Sequence, residues 1–317
     1  MGSENEIPIL DFNRNIRLKL EEGGEGWKEM SKKVRQAFES HSCFLIRCDD
    51  ITNDLHDEFF TSMKSLFDLP EETKKKFCSP RPYRGYTAKS CVIPYAESFG
   101  IDNDRNPDTA QQDFINLMWP QGNPTLSAAL SSYSSKTREL SSLILKMVVE
   151  AFELPQHYKL DIGELNSYND ARMTKYLTSE ETKGSNIGLV PHTDKGTISF
   201  ICDNGVQGLQ LLSKTGNWVD INIPPNGFVV VVGDILQAWS NGRLEAATHR
   251  VVAKDEERFV FVFFAVPREG LIIKGPSELV DNENYPKRYR PFNYDEYVNY
   301  HHSIGSQEAP MEKFAGI

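Results

Sequence analysis

At 317 residues, 39% hydrophobic and 25% charged, the chain has the composition of a soluble globular protein, long enough for one large core or two smaller ones. A formal charge of −10 argues against nucleic acid as a partner, and the short runs Lys32-Lys33 and Lys74-Lys75-Lys76 read as solvated helix faces. Five cysteines (43, 48, 78, 91 and 202) form no C-x-x-C pair, no stretch nears the roughly 18 apolar residues of a membrane span, and Met1–Glu6 has no secretory pattern, so a cytoplasmic monomer with reduced thiols and no membrane partner is expected.

In chain order, helices are expected at Trp27–Ser40, Asn53–Phe67 and the short turn Pro70–Lys74, interrupted by a strand at Cys43–Arg47. Residues 81–123 are rich in Pro and Gly with few regular signals, and read as a long loop able to cover a pocket. The longest helix is expected from Leu126 to Phe152, where Leu126, Leu130, Tyr133, Thr137, Leu140, Ile144 and Met147 recur at steps of four and three and make a packing face for a sheet. From Ala171 the texture changes to short β-rich runs: Arg172–Leu177, Thr197–Cys202, Gly208–Leu212, Trp218–Ile223, Phe228–Val232 and Phe259–Val266. Many short strands at close spacing indicate an α+β protein with a double-sheet, jelly-roll core. A helical region with its covering loop (1–125) and a scaffold helix plus jelly roll (126–317) are expected to share one core.

The chemistry-bearing pattern is His192-Thr193-Asp194 with His249 later in the chain. Residues i and i+2 of a strand project from one face, so His192 and Asp194 can reach one metal ion while a later strand brings His249. Two imidazoles and a carboxylate make a facial triad suited to non-haem Fe(II). Alone, H-x-D reads equally as a surface turn or a strand-end hydrogen bond. Arg258 opens the apolar run Phe259–Val266, and a guanidinium there needs an anionic partner, for which its planar fork suits a carboxylate. Arg172, Thr174 and Tyr176 alternate along one expected strand and share a face.

With these residues in place, the chain resembles the plant Fe(II)/2-oxoglutarate-dependent dioxygenases, with an isopenicillin-N-synthase-like, double-stranded β-helix fold, and most closely their AOP-type branch. The likeness runs through Ile7-Pro8-Ile9-Leu10-Asp11-Phe12, Tyr83-Arg84-Gly85-Tyr86, Leu117–Asn123, the H-T-D motif, Gly233-Asp234, Ser240–Arg243, His249-Arg250-Val251 and Glu278–Asp281. The resemblance implies that His192, Asp194 and His249 bind Fe(II). It implies further that 2-oxoglutarate chelates the metal while Arg258 and Tyr176 hold it, and that with O2, and ascorbate in support, a small plant metabolite is hydroxylated. Two positions depart from the pattern. The usual R-x-S reads Arg258-Phe259-Val260, and an asparagine common two residues before the tyrosine is Thr174; both changes bear on co-substrate affinity.

For the substrate, Phe264 shares a face with Arg258 and reads as a stacking ring or as core. Arg172 and Lys195 are cations that suit an anionic or oxygen-rich ligand, although Lys195 reads more readily as solvent-exposed. Phe114 and Tyr86 from the covering segment are further candidates. Two rivals stay open: a catalytically weakened binding protein on the same scaffold, and a zinc hydrolase, for which no general base stands beside the ligands.

Overall fold

Pro at the first turn and the Asn123 side chain, which accepts from the Leu126 amide at 3.0 Å, start a helix that runs unbroken over Pro124–Ala151. All seven residues of its expected stripe are buried. The chain's structure is a computed structural model and describes residues 6–89, 95–102, 107–178, 180–181, 187–305 and 309–317. Helices Glu25–His41 and Asn53–Phe67 pack on the long helix, and the strand expected between them is present at Cys43–Arg47.

The strands are β1 (Ile9–Asp11), β2 (Cys43–Arg47), β3 (Gly85–Thr87), β4 (Ala96–Asp102), β5 (Tyr168–Tyr176), β6 (Ile187–His192), β7 (Ile198–Asp203), β8 (Leu209–Leu212), β9 (Trp218–Asp220), β10 (Phe228–Val232), β11 (His249–Val252) and β12 (Arg258–Val266). They form a major sheet ordered β1-β2-β10-β7-β12-β5-β4-β3 and a minor sheet ordered β6-β11-β8-β9. A two-stranded ribbon, Ile272–Ile273 with Phe292–Asn293, leads into the helix Tyr294–Ile304.

Residues 81–123 are more ordered than a loop: β3 and β4 extend the major sheet, and Pro107–Met118 is helical. Residues 90–94 and 103–106 of that segment lie outside the described residues. β4 escapes a reading by pattern because it carries Glu97, Ser98 and Gly100 among its apolar residues, and pairing with β5 in register, Ser98 opposite Thr174, decides its conformation. The short helix Asp234–Trp239 was likewise unannounced by periodicity, being buried on every side.

Alternation along β12 divides the molecule. Phe259, Phe261 and Phe263 face the helices, where Phe261 meets Tyr133 at 5.5 Å and Phe59 at 5.3 Å between ring centroids. Arg258, Val260, Val262 and Phe264 face the other way, into a cavity between the sheets. Truncating a buried Phe removes both transfer energy and packing, so Phe261→Ala is expected to cost about 3–5 kcal/mol of unfolding free energy in a urea titration. A loss below about 1 kcal/mol would show that this aromatic cluster does not anchor the helices to the sheet.

Candidate active site

His192 closes β6 and His249 opens β11, and the two are direct partners in the minor sheet. Their ring centroids are 4.2 Å apart. Asp194 departs from the expectation of a common strand: β6 ends at His192, and Asp194 lies in the turn before β7. Backbone bonds fix that turn, with the Asp234 amide donating to the Asp194 carbonyl at 2.8 Å and the Ile235 amide to that of Gly196 at 3.0 Å. Glycine at 233 is what permits the approach, since a β-carbon there would stand 2.3 Å from the Gly196 carbonyl oxygen.

The side chains converge. Nε2 of each histidine lies 3.9 Å from the same Asp194 oxygen, Oδ1. Each Nδ1 is within hydrogen-bond distance of a backbone carbonyl, Val190 for His192 at 3.0 Å and Ala247 for His249 at 2.9 Å. These bonds require the proton on Nδ1 and leave the Nε2 lone pair directed at the shared point. Burial and the neighbouring His249 hold the His192 pKa down to about 4, so its ring is neutral at ordinary pH. Oδ2 of Asp194 is buried without a hydrogen-bond partner among the described residues. A buried carboxylate with one oxygen, Oδ1, facing two imidazole lone pairs and the other, Oδ2, without a partner fits a divalent cation.

The triad sits on the wall of a cavity of about 370 Å³. From the major sheet, Arg172, Thr174 and Tyr176 of β5 and Arg258, Val260, Val262 and Phe264 of β12 line it, with Val260 opposite Thr174 and Arg258 opposite Tyr176. Arg258 already has an anionic partner: its Nη2 donates to Asp203 at 2.8 Å and its Nε to the Val206 carbonyl at 3.0 Å. These bonds fix the fork, and the guanidinium carbon stands 5.5 Å from the centre of the Tyr176 ring.

Lys195 is not solvent-exposed. It is only 8% exposed and lines the cavity, its ammonium 4.4 Å from the Tyr83 ring centre and 5.3 Å from that of Phe264. Burial draws its pKa down to about 8, which leaves it largely protonated at pH 7. Phe114 and Tyr86 lie outside the cavity wall. Phe114 is packed against Phe77 and Phe99. Tyr86 donates to Glu97 at 2.6 Å, on the β4 face opposite Ser98.

Pattern reading missed Tyr83, Ser98, His301 and His302, which also line the cavity. Tyr83 has φ of 64°, its carbonyl accepts from Arg172 at 2.6 Å, and its hydroxyl is 2.9 Å from His301 Nδ1. Gly100 makes room for it, a β-carbon there standing 2.3 Å from the Tyr83 carbonyl oxygen. No periodic signal marks Tyr83; the adjacent pair His301-His302 near a helix end was the one available hint.

Two family models match: the 2OG-Fe(II) oxygenase superfamily over residues 168–267, and the N-terminal region described as non-haem dioxygenase in morphine synthesis over residues 7–122. A probable 2-oxoglutarate-dependent dioxygenase, AOP1, of Arabidopsis thaliana is 32% identical over 93% of this chain and 90% of its own length. The chain belongs to the 2OG-Fe(II) oxygenase superfamily. Among solved structures, the rice dioxygenase for auxin oxidation superposes with a TM-score of 0.80 at 28% identity, covering 98% of this chain and 100% of that one. The fold is shared too by JOX2 in complex with 2OG, Fe and JA, at TM-score 0.79 and 22% identity, covering 98% and 89%. The protein is therefore an Fe(II)- and 2-oxoglutarate-dependent oxygenase with its metal triad intact.

A metal that binds only the folded state raises stability by mass action, about 2.7 kcal/mol at a hundred times its Kd. Anaerobic Fe(II) is expected to raise the Tm of the wild type and leave that of Asp194→Ala unmoved, with the metal retained after desalting only by the wild type. Equal shifts in the two proteins would refute the triad as the iron site.

Proposed function

We propose that the protein hydroxylates a small metabolite of specialised metabolism, as a cytoplasmic enzyme. The observation that carries this reading is the placing of a lone-pair-ready His-Asp-His cluster and a braced arginine on the walls of one cavity. His192, Asp194 and His249 would hold the iron, which would supply oxygen activation for the coupled oxidation of a substrate C–H bond and of 2-oxoglutarate to succinate and carbon dioxide.

The chain's own residues divide the remaining work. Arg258, held by Asp203 and Val206, presents the rest of its fork to the distal carboxylate of 2-oxoglutarate, with Tyr176 and Thr174 beside it. Val260 offers a methyl surface at the same level, so the distal carboxylate receives no hydroxyl bond from that position. The apolar walls at Leu189, Ile201, Leu209 and Val251 exclude water and keep the oxidant beside the substrate.

A weakened binding protein is the second reading, favoured by Val260. Stoichiometric release of succinate in the presence of iron, ascorbate and a candidate metabolite separates the two, and iron-loaded protein that never consumes 2-oxoglutarate would sink the enzyme reading. Val260→Ser is expected to lower the apparent KM for 2-oxoglutarate roughly tenfold or more, the effect of one added hydrogen bond to a charged group worth about 1.5–3 kcal/mol. An unchanged or raised KM would place the distal carboxylate elsewhere.

A further inference from the structure

One end of the cavity carries charge that neither the metal nor the co-substrate anchor uses. Lys195 follows Asp194 directly and makes no hydrogen bond or ion pair with the described residues; its contacts are the faces of Tyr83 and Phe264. Two ring faces and the longer-range attraction of the Asp170 and Asp194 carboxylates offset only part of the cost of removing an ammonium from water. Arg172 lies at the same end, bound to the Tyr83 carbonyl and otherwise turned to the cavity. The other cations nearby are neutralised, Arg84 by Asp170 at 2.6 Å and Arg258 by Asp203 at 2.8 Å. Asp194 is the one carboxylate on the cavity wall among the described residues, and it faces the metal position.

We propose that Lys195 and Arg172, with Tyr83 and Phe264, form a carboxylate-binding subsite for the substrate, so that the substrate is a compact organic acid with an apolar or aromatic body. This deepens the functional reading above and rests on it for the oxidation, though not for the binding. Charge supports it. Iron with Asp194, the Arg258–Asp203 pair and a dianionic co-substrate together leave one negative charge, which Lys195 and Arg172 convert to one positive; a monoanionic substrate restores neutrality in a low-dielectric site. Size supports it as well, because about 370 Å³ lies at the small end of ligand pockets, roughly 300–1,000 Å³, and has to be shared with 2-oxoglutarate. Val262 and Phe264, alternating on β12, offer the apolar body a wall, and the sequence neighbour of a metal ligand holds its head group, which fixes the distance between carboxylate and oxidised carbon.

Anaerobic calorimetry on the iron-loaded, 2-oxoglutarate-bound protein tests this with phenylacetate and its uncharged counterpart phenylacetamide. The wild type is expected to favour the acid roughly ten- to a hundredfold, the factor given by a charge-assisted bond. Lys195→Met and Arg172→Gln should each erase most of that preference, and Lys195→Arg should keep it; the iron-induced Tm shift reports that each variant is folded. A wild type that does not favour the acid, or neutral variants that both preserve the preference, would overturn the proposal. So would a Lys195→Met protein that loses 2-oxoglutarate and keeps phenylacetate, since the cation would then serve the co-substrate. Because no turnover is needed, acid preference stands or falls by itself, while failure of every bound acid to release succinate in air would overturn the hydroxylation reading and leave the subsite standing.

Discussion

The turn from Asp194 to Thr197 ties the two sheets together, and the site's geometry follows from its hydrogen bonds. Thr197 donates to the Ala265 carbonyl of β12 at 2.8 Å and accepts from the Gly233 amide at 3.0 Å, while the carbonyls of Asp194 and Gly196 accept from the first residues of the helix Asp234–Trp239. A metal ligand is thus bonded, within three residues, to the strand that carries Arg258 and to the segment that follows β10. Such a short span leaves little freedom for the triad to move relative to the cavity wall. The triad histidines belong to the minor sheet and the arginine to the major one, so this turn sets the spacing between iron position and co-substrate anchor.

Electrostatics in the cavity follow a division between braced and unbraced charge. Arg258 and Arg84 have carboxylate partners built into the protein, which orient their guanidinium groups before any ligand arrives. Lys195 has no hydrogen-bonded carboxylate among the described residues and rests against aromatic faces. The first arrangement gives a defined direction, and the second gives a charge whose position can adapt by rotation of a flexible stem. A co-substrate common to every turnover suits the first, and a variable partner suits the second.

Much of this was legible in the residues. The stripe Leu126 to Met147 and the run Phe259–Val266 are long and regular enough for periodicity alone to place them. The facial triad was readable from its residue types and their order, although Asp194 reaches its place from a turn and not from the strand that the spacing suggested. β3, β4 and the helix Asp234–Trp239 were not readable, since their conformations come from partners distant in the chain. Lys195 was misjudged for a related reason: lysine is exposed unless tertiary structure encloses it, and here Tyr83, in a left-handed conformation that no pattern announces, does the enclosing. Phe114 and Tyr86 stand away from the cavity because the helix Pro107–Met118 and the paired strands β3 and β4 take the place of the expected loop.

The two-faced character of β12 has an evolutionary consequence. Residues that shape what the cavity accepts alternate with residues that hold the helices, yet they belong to different apolar clusters: Val260 and Val262 on one side, Phe261 and Phe263 on the other. Substitutions on the two faces share few side-chain contacts, so their coupling should be confined to the backbone they share. Drift at the cavity face can therefore explore new ligands without eroding the fold's stability reserve, and one strand can supply both novelty and permanence to a family with diverse substrates.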